Sequence, residues 1–236
     1  MGESLPSRPL SVSTRARVDA LVADAAARRA AGGEALATDL QDSLGRATTL
    51  RARAGEFDLG GFSDFPGQLE VAVQALSLGL SRCVTVSSGD YKLYWDSHAS
   101  NDAIQSPAFE RLFAGLSGLM TLLAATASPG GGVLLDDTVV VVLSEMGRTP
   151  QYNASDGRDH WPYTSALLIG GGVVGGQAVS GYDDGLHGLG YDPDTGLTLE
   201  DDSPVTPEHL GATLLELAGE DGAAALGVSP LRVLLP

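Results

Sequence analysis

Two short stretches hold most of the residue types that could do chemistry. One is YWDSH, which carries Asp96 and His98; the other is SEMGRTPQYNASDGRDHWP, from Ser144 to Pro162. The second packs Glu145, Arg148, Asp156, Arg158, Asp159 and His160 together directly after the apolar run VVVVL. Mixed carboxylate and imidazole donors suit zinc or manganese, and sets richer in carboxylate suit magnesium or calcium. At a buried strand end such charges persist only if they are paired or bound to a metal. On an extended segment Asp96 and His98, two residues apart, project to the same face. Asp159 and His160 are adjacent and point in two directions, which would serve two ions, or one ion and a partner behind it. Glu145 has a plainer use, an ion pair with Arg148. His187, in a Gly-rich loop, and His209, at a helix start, read as surface positions. Ser97 and Thr149 are hydroxyls near these stretches, yet nothing in the spacing makes either an attacking group.

The surrounding pattern places both stretches after strands. RCVTVSS, from Arg82 to Ser88, is a short β-branched run bounded by turn residues and predicts a strand. The polar loop Asp90 to Asp102 follows it. Pro107 to Ala127 predicts a helix, and Asp136 to Glu145 an unbroken apolar strand of the kind buried on both faces of a parallel sheet. The apolar spacing of LEVAVQALSLGL predicts a helix from Leu69 to about Leu80. After the charged stretch, SALLIGGGVVGGQAVSGYDDG suggests two short strands joined by glycine turns. Its glycines lack the GxGxxG or GxxxxGK[ST] spacing of a phosphate cradle. An acidic loop spans Tyr182 to Pro204. A helix from Thr206 to Gly219 has Pro207 in its first turn, and LRVLLP offers a terminal strand. Strand alternating with helix predicts an α/β fold, a mostly parallel sheet flanked by helices. Ligands in such sheets gather at the carboxyl ends of strands, so the two charged loops would meet at one site.

Ahead of this domain, taken as residues 61–236, lies a helical segment over residues 1–60. Two amphipathic helices are predicted there, with Ser13 or Thr14 as a cap and Gly32-Gly33 as a break. Asp19 and Asp24 interleave with its arginines, which marks a solvated face. A Gly, Asp and Phe-rich linker, Glu56 to Gly67, joins the parts. Thirty acidic residues against fourteen basic ones give a formal charge of −16, which argues against nucleic acid or an anionic membrane as partner. No run reaches the ~18 consecutive apolar residues of a membrane span, and MGESLPSRPL has no apolar signal core. The single cysteine, Cys83, excludes an internal disulfide and a multi-cysteine zinc site. Its apolar setting, CVTV, predicts a buried thiol.

Four spaced segments, YWDSHASN, VVVVLSEMGRTP, GRDHWP and LLIGGGVVGGQAVSGYDD, resemble in order the motifs of the bacterial domain-of-unknown-function family 1501. The likeness spans roughly Leu69 to Gly219. That family looks like a branch of the alkaline phosphatase and sulfatase superfamily, whose members hydrolyse or transfer phosphate or sulfate esters at a metal centre. The resemblance implies an alkaline phosphatase/sulfatase-like fold and a divalent ion, zinc, manganese or calcium. It makes Asp96, His98, Glu145, Asp159 and His160 its ligands, and Arg148 the residue facing a small anionic ester substrate.

Two departures bear on that expectation. The superfamily's nucleophile and its first metal-binding Asp come from early strands that have no counterpart before Asp96, so the chain reads as an incomplete, truncated or split product. No export signal is seen, whereas the resemblance suggests an exported or periplasmic protein. Ester hydrolysis at a metal centre is therefore expected beside an alternative from another class, a non-catalytic binding or structural module. An exposed sheet edge would favour a partner chain or a second copy of this one.

Overall fold

In the computed structural model, the described residues are 16, 19–20, 23–24, 27, 34–53, 64–89, 94–200 and 203–236. The predicted cap at Ser13 or Thr14, the Gly32-Gly33 break and the linker up to residue 63 lie outside them, as do residues 90–93 of the first polar loop. The chain divides into compact units over residues 1–58 and 59–236.

In the first unit, α1 (Glu34–Arg53) is a solvated helix. Thr48 and Thr49 turn their hydroxyls back onto the carbonyls of Leu44 and Gly45, which lets β-branched polar residues sit inside it. Arg51 pairs with Asp19 at 3.4 Å, both half-exposed.

The second unit is built on two helices. The first of them, α2 (Phe65–Ser77), starts because Asp64 accepts the Gly67 N–H at 2.9 Å and Pro66 occupies the first turn, where no N–H is needed. Phe65, Leu69 and Val73 recur every fourth residue and share one face. They pack against Leu112, Leu116, Leu119 and Leu123 of α3 (Asn101–Ala125), and Leu134 closes the cluster. Each of these buried side chains contributes about 1.5–3 kcal/mol. Gly115 leaves the space that the Phe65 ring fills. By length and composition α3 could also cross a membrane, but its leucines are engaged in this core.

A short turn, α4 (Leu134–Asp137), leads into β1 (Val139–Val142). This strand pairs antiparallel with β4 (Leu167–Gly170), Val139 opposite Gly170 and Val142 opposite Leu167. Between them β2 (Gly147–Arg148) and β3 (His160–Trp161) form a second antiparallel pair, with Arg148 directly opposite His160. A third pair joins β5 (Gly190–Tyr191) to β6 (Thr198–Leu199). Helix α5 (Pro207–Leu217) begins at a capping box between Thr206 and His209, and a short α6 (Gly222–Leu226) follows. Beside them Tyr191, Leu231 and Leu234 form a smaller core. Thr213, fully buried, links the two ends of this region by donating to the His209 carbonyl at 2.7 Å and accepting the Leu231 N–H at 2.8 Å.

The expected mostly parallel, alkaline phosphatase/sulfatase-like α/β sheet is therefore corrected: the described residues form three separate two-stranded antiparallel pairs. Two physical causes stand out. The run VVVV has β4 as its sheet neighbour and stays half-buried along its length instead of being covered on both faces. RCVTVSS joins no ladder, and Ser81, just before it, and Ser87, within it, bond to nearby backbone instead: Ser81 Oγ donates to the Cys83 carbonyl at 2.6 Å, and Ser87 Oγ accepts the Gly89 N–H at 3.4 Å. Cys83 is consequently exposed and free, not buried. LRVLLP forms a single 3-10 turn, Arg232–Leu234, instead of a strand.

Candidate functional site

The first turn of α3 has backbone N–H groups with no partner inside the helix, and Ser100, at φ +50, supplies no side-chain cap. The second charged loop satisfies the first of them, together with the N–H of the cap residue. The Ser155 carbonyl accepts from Ser100 N at 3.0 Å, and the Asp156 carbonyl accepts from Asn101 N at 2.8 Å. Arg158 N donates to the Ser97 carbonyl at 2.9 Å. Asn153 is the hub: its side-chain carbonyl accepts from the Ser155 and Gly157 N–H groups, and its amide donates to the His98 carbonyl at 2.9 Å and to Asp159 at 3.0 Å. Gly157 presses so closely on the His98 peptide that no side chain fits there. The two loops that the sequence singled out thus meet.

They meet at an open cleft of about 1130 Å³ whose lining includes Asp96, His98, Glu145, Arg148 and His160. Asp96 accepts a hydrogen bond from His98 Nδ1. This bond, with the His98 backbone N–H and then the charges of His98 and Arg148, holds the Asp96 carboxyl below its ordinary range. The His98 and His160 rings are neighbours, 4.8 Å between centroids. Arg148 donates to the Arg158 carbonyl at 3.1 Å, lies 3.7 Å from Asp96, and sits 3.4 and 3.5 Å from the two ring nitrogens of His98. Those last distances are long for hydrogen bonds, so the guanidinium acts on the ring as a nearby charge. The Glu145 carboxyl is lowered by its own backbone N–H, then by the Ser144 hydroxyl and by the charges of Arg148 and His160.

Not every expected residue belongs to this cluster. Asp159 lies outside the cleft lining and accepts from Asn153. Neither hydroxyl is available for attack. Ser97 is fully buried and donates to Asn101, while Thr149 donates to the Gln151 carbonyl and accepts from Asp159 N. His187 is half-exposed and pairs with Asp183 at 3.1 Å. His209 is engaged in the α5 cap. Sequence reasoning missed Asn153 and Gly157, though NASDG has the composition of a turn that bonds its own backbone. It also missed the aromatic lining, which no local pattern marks.

The divalent ion implied by the family likeness does not fit these donors as they stand. Among the described residues no three His, Cys, Asp or Glu side chains are grouped as an ion would require. Asp96 is engaged by His98 and Asp159 by Asn153, and the Arg148 cation lies within the donor set, where it would repel a second cation. What the arrangement can do is move protons beside a fixed positive charge.

A family model described as "Protein of unknown function (DUF1501)" matches residues 20–226. No curated protein and no solved structure matches the chain.

Proposed function

The chain belongs to the family DUF1501, and from that premise and its cleft we propose that it hydrolyses small anionic esters of phosphate or sulfate. The observation that carries the reading is the imidazole pair: His98, oriented by Asp96, lies beside His160 at 4.8 Å in a cleft that Arg148 also lines. With Nδ1 turned to Asp96, Nε2 is the ring nitrogen of His98 that serves as base. It takes a proton from water as the water oxygen bonds to phosphorus or sulfur. The bond from that centre to the alcohol oxygen breaks, and His160 in its protonated form gives the leaving oxygen a proton. Glu145 is the anion beside that imidazole, and Arg148 faces the charge that builds on the transferring group. No step here runs through an ion.

Turnover of 4-nitrophenyl phosphate and 4-nitrophenyl sulfate tests this. Positioned acid–base groups contribute roughly 10²–10⁴-fold, so His98→Ala and His160→Ala should each lose at least about a hundredfold. Loss of turnover in chelator-treated wild type would instead return the chemistry to a metal. A second reading, a binding module without catalysis, is favoured by the engaged hydroxyls of Ser97 and Thr149. It predicts ester binding with no release of 4-nitrophenol.

A further inference from the structure

We propose that the ester taken by this cleft has an aromatic alcohol part; the proposal rests on the ester-hydrolysis reading and names its substrate class. The cleft is not lined by charge alone. Its lining also holds six aromatic rings, Trp95, Phe109 and Phe113 from the first loop and α3, and Trp161, Tyr163 and Tyr182 from the chain after β2. Phe109 and Phe113 lie one helical turn apart with stacked rings, 6.1 Å between centroids and 21° between planes. Trp95 meets Phe109 edge-on at 5.1 Å and 77°. Phe109 is nonetheless 46% exposed and Phe113 56% exposed, on a helix whose leucines are in the core.

Three of these rings have polar handles that are already engaged. Trp95 donates to Ser88 Oγ at 2.9 Å, Trp161 to the Leu186 carbonyl at 2.8 Å, and the Tyr182 hydroxyl to the Thr164 carbonyl at 3.0 Å. What these three offer a ligand is ring faces and edges held in fixed orientations by those bonds, and Phe109 and Phe113 add two exposed ring faces. An inorganic anion would leave them wet. A flexible alkyl chain would cover them but would gain nothing from their geometry, whereas a planar aromatic group gains both buried area and edge-to-face contact. The anionic head then lies toward Arg148, His98 and His160, and the ring of the leaving alcohol lies over Phe109 and Phe113.

The test is calorimetric titration of the full chain with methylphosphonate, hexylphosphonate and 1-naphthylphosphonate, whose C–P bonds the proposed chemistry does not cleave. The naphthyl compound should bind at least about tenfold more tightly than either other. Phe113→Ala should remove most of that advantage and leave methylphosphonate binding unchanged. Phe113 is over half exposed, so its loss leaves the core intact. Hexyl binding equal to naphthyl binding would overturn the aromatic assignment alone, as would a dimer in sedimentation that Phe113→Ala dissociates. Failure of all three compounds to bind would overturn the ester reading with it.

Discussion

Replacing Gly157 with alanine should dismantle the candidate site from a position that bears no functional group. A Cβ built there would lie against the carbon and oxygen of the His98 peptide, well inside the 3.0 Å that real Cβ atoms keep. The obstruction is backbone, so it cannot swing away like a flexible side chain. The loops must part, and the hydrogen bonds that span them include Ser100 to Ser155, Asn101 to Asp156, Arg158 to Ser97, Asn153 to His98 and Tyr152 to Asp102. Loss of two at about 1 kcal/mol each, together with overpacking strain of about 1–3 kcal/mol, gives a destabilisation of about 3–5 kcal/mol. That is a large part of the ~5–15 kcal/mol that holds an ordinary domain together. A displacement of about 1 Å at His98 would cost about a hundredfold in rate. Urea unfolding measured through tryptophan emission suits the question, since the chain's two tryptophans, Trp95 and Trp161, both line the cleft. Gly118→Ala is the control: nothing lies within 4 Å of its Cβ position in α3, so it should stabilise by about 0.5–1 kcal/mol. Gly157→Ala within about 0.5 kcal/mol of wild type, with unchanged emission, would refute the reasoning.

Thr213→Val keeps the volume but leaves the Leu231 N–H without its acceptor, so the urea midpoint should fall by the equivalent of about 1–3 kcal/mol; an unchanged midpoint would mean water replaces the hydroxyl. The Asp102 carboxyl accepts the Tyr152 hydroxyl at 2.7 Å and the Asn101 amide, which hold its pKa below the ordinary 3.8. A depressed folded pKa gives stability that is complete above 3.8 and disappears as pH falls through the folded value. Tyr152→Phe removes the leading cause, so its melting temperature should lie below wild type at pH 6 and converge on it below pH 3.8; a constant gap would contradict the assignment.

The helices were legible in the sequence where local chemistry builds them. Apolar spacing marked α2, Pro107 to Ala127 was expected as the helix that proved to be α3, and Pro207 marked the start of α5. Their starts were misplaced where the cap was overlooked or distant. Asp64 and Pro66 begin α2 at Phe65, ahead of its expected start at Leu69. Helix α3 begins at Asn101, ahead of Pro107, where carbonyls some fifty residues away in the second loop accept from the Ser100 and Asn101 N–H groups. The strands failed for the same reason in reverse. Val139–Val142 and RCVTVSS look alike as runs, yet one finds Leu167–Gly170 while the other joins no ladder and has serines at and beside it bonded to nearby backbone. Within the site, residue types and loop positions were enough to bring Asp96, His98, Glu145, Arg148 and His160 together. The orientation of Asp159 toward Asn153 depends on a turn whose closure only the fold determines.

The most direct test of the central claim uses the chain's four histidines, His98, His160, His187 and His209. Two-dimensional NMR of the imidazole ring protons, with inorganic phosphate added stepwise, reports on each of them separately. The account predicts that His98 and His160 shift together along one saturating curve while His187, paired with Asp183, and His209, in its helix cap, stay in place. Independent curves for His98 and His160, or no shift in either, would contradict a common anion site where the two loops meet.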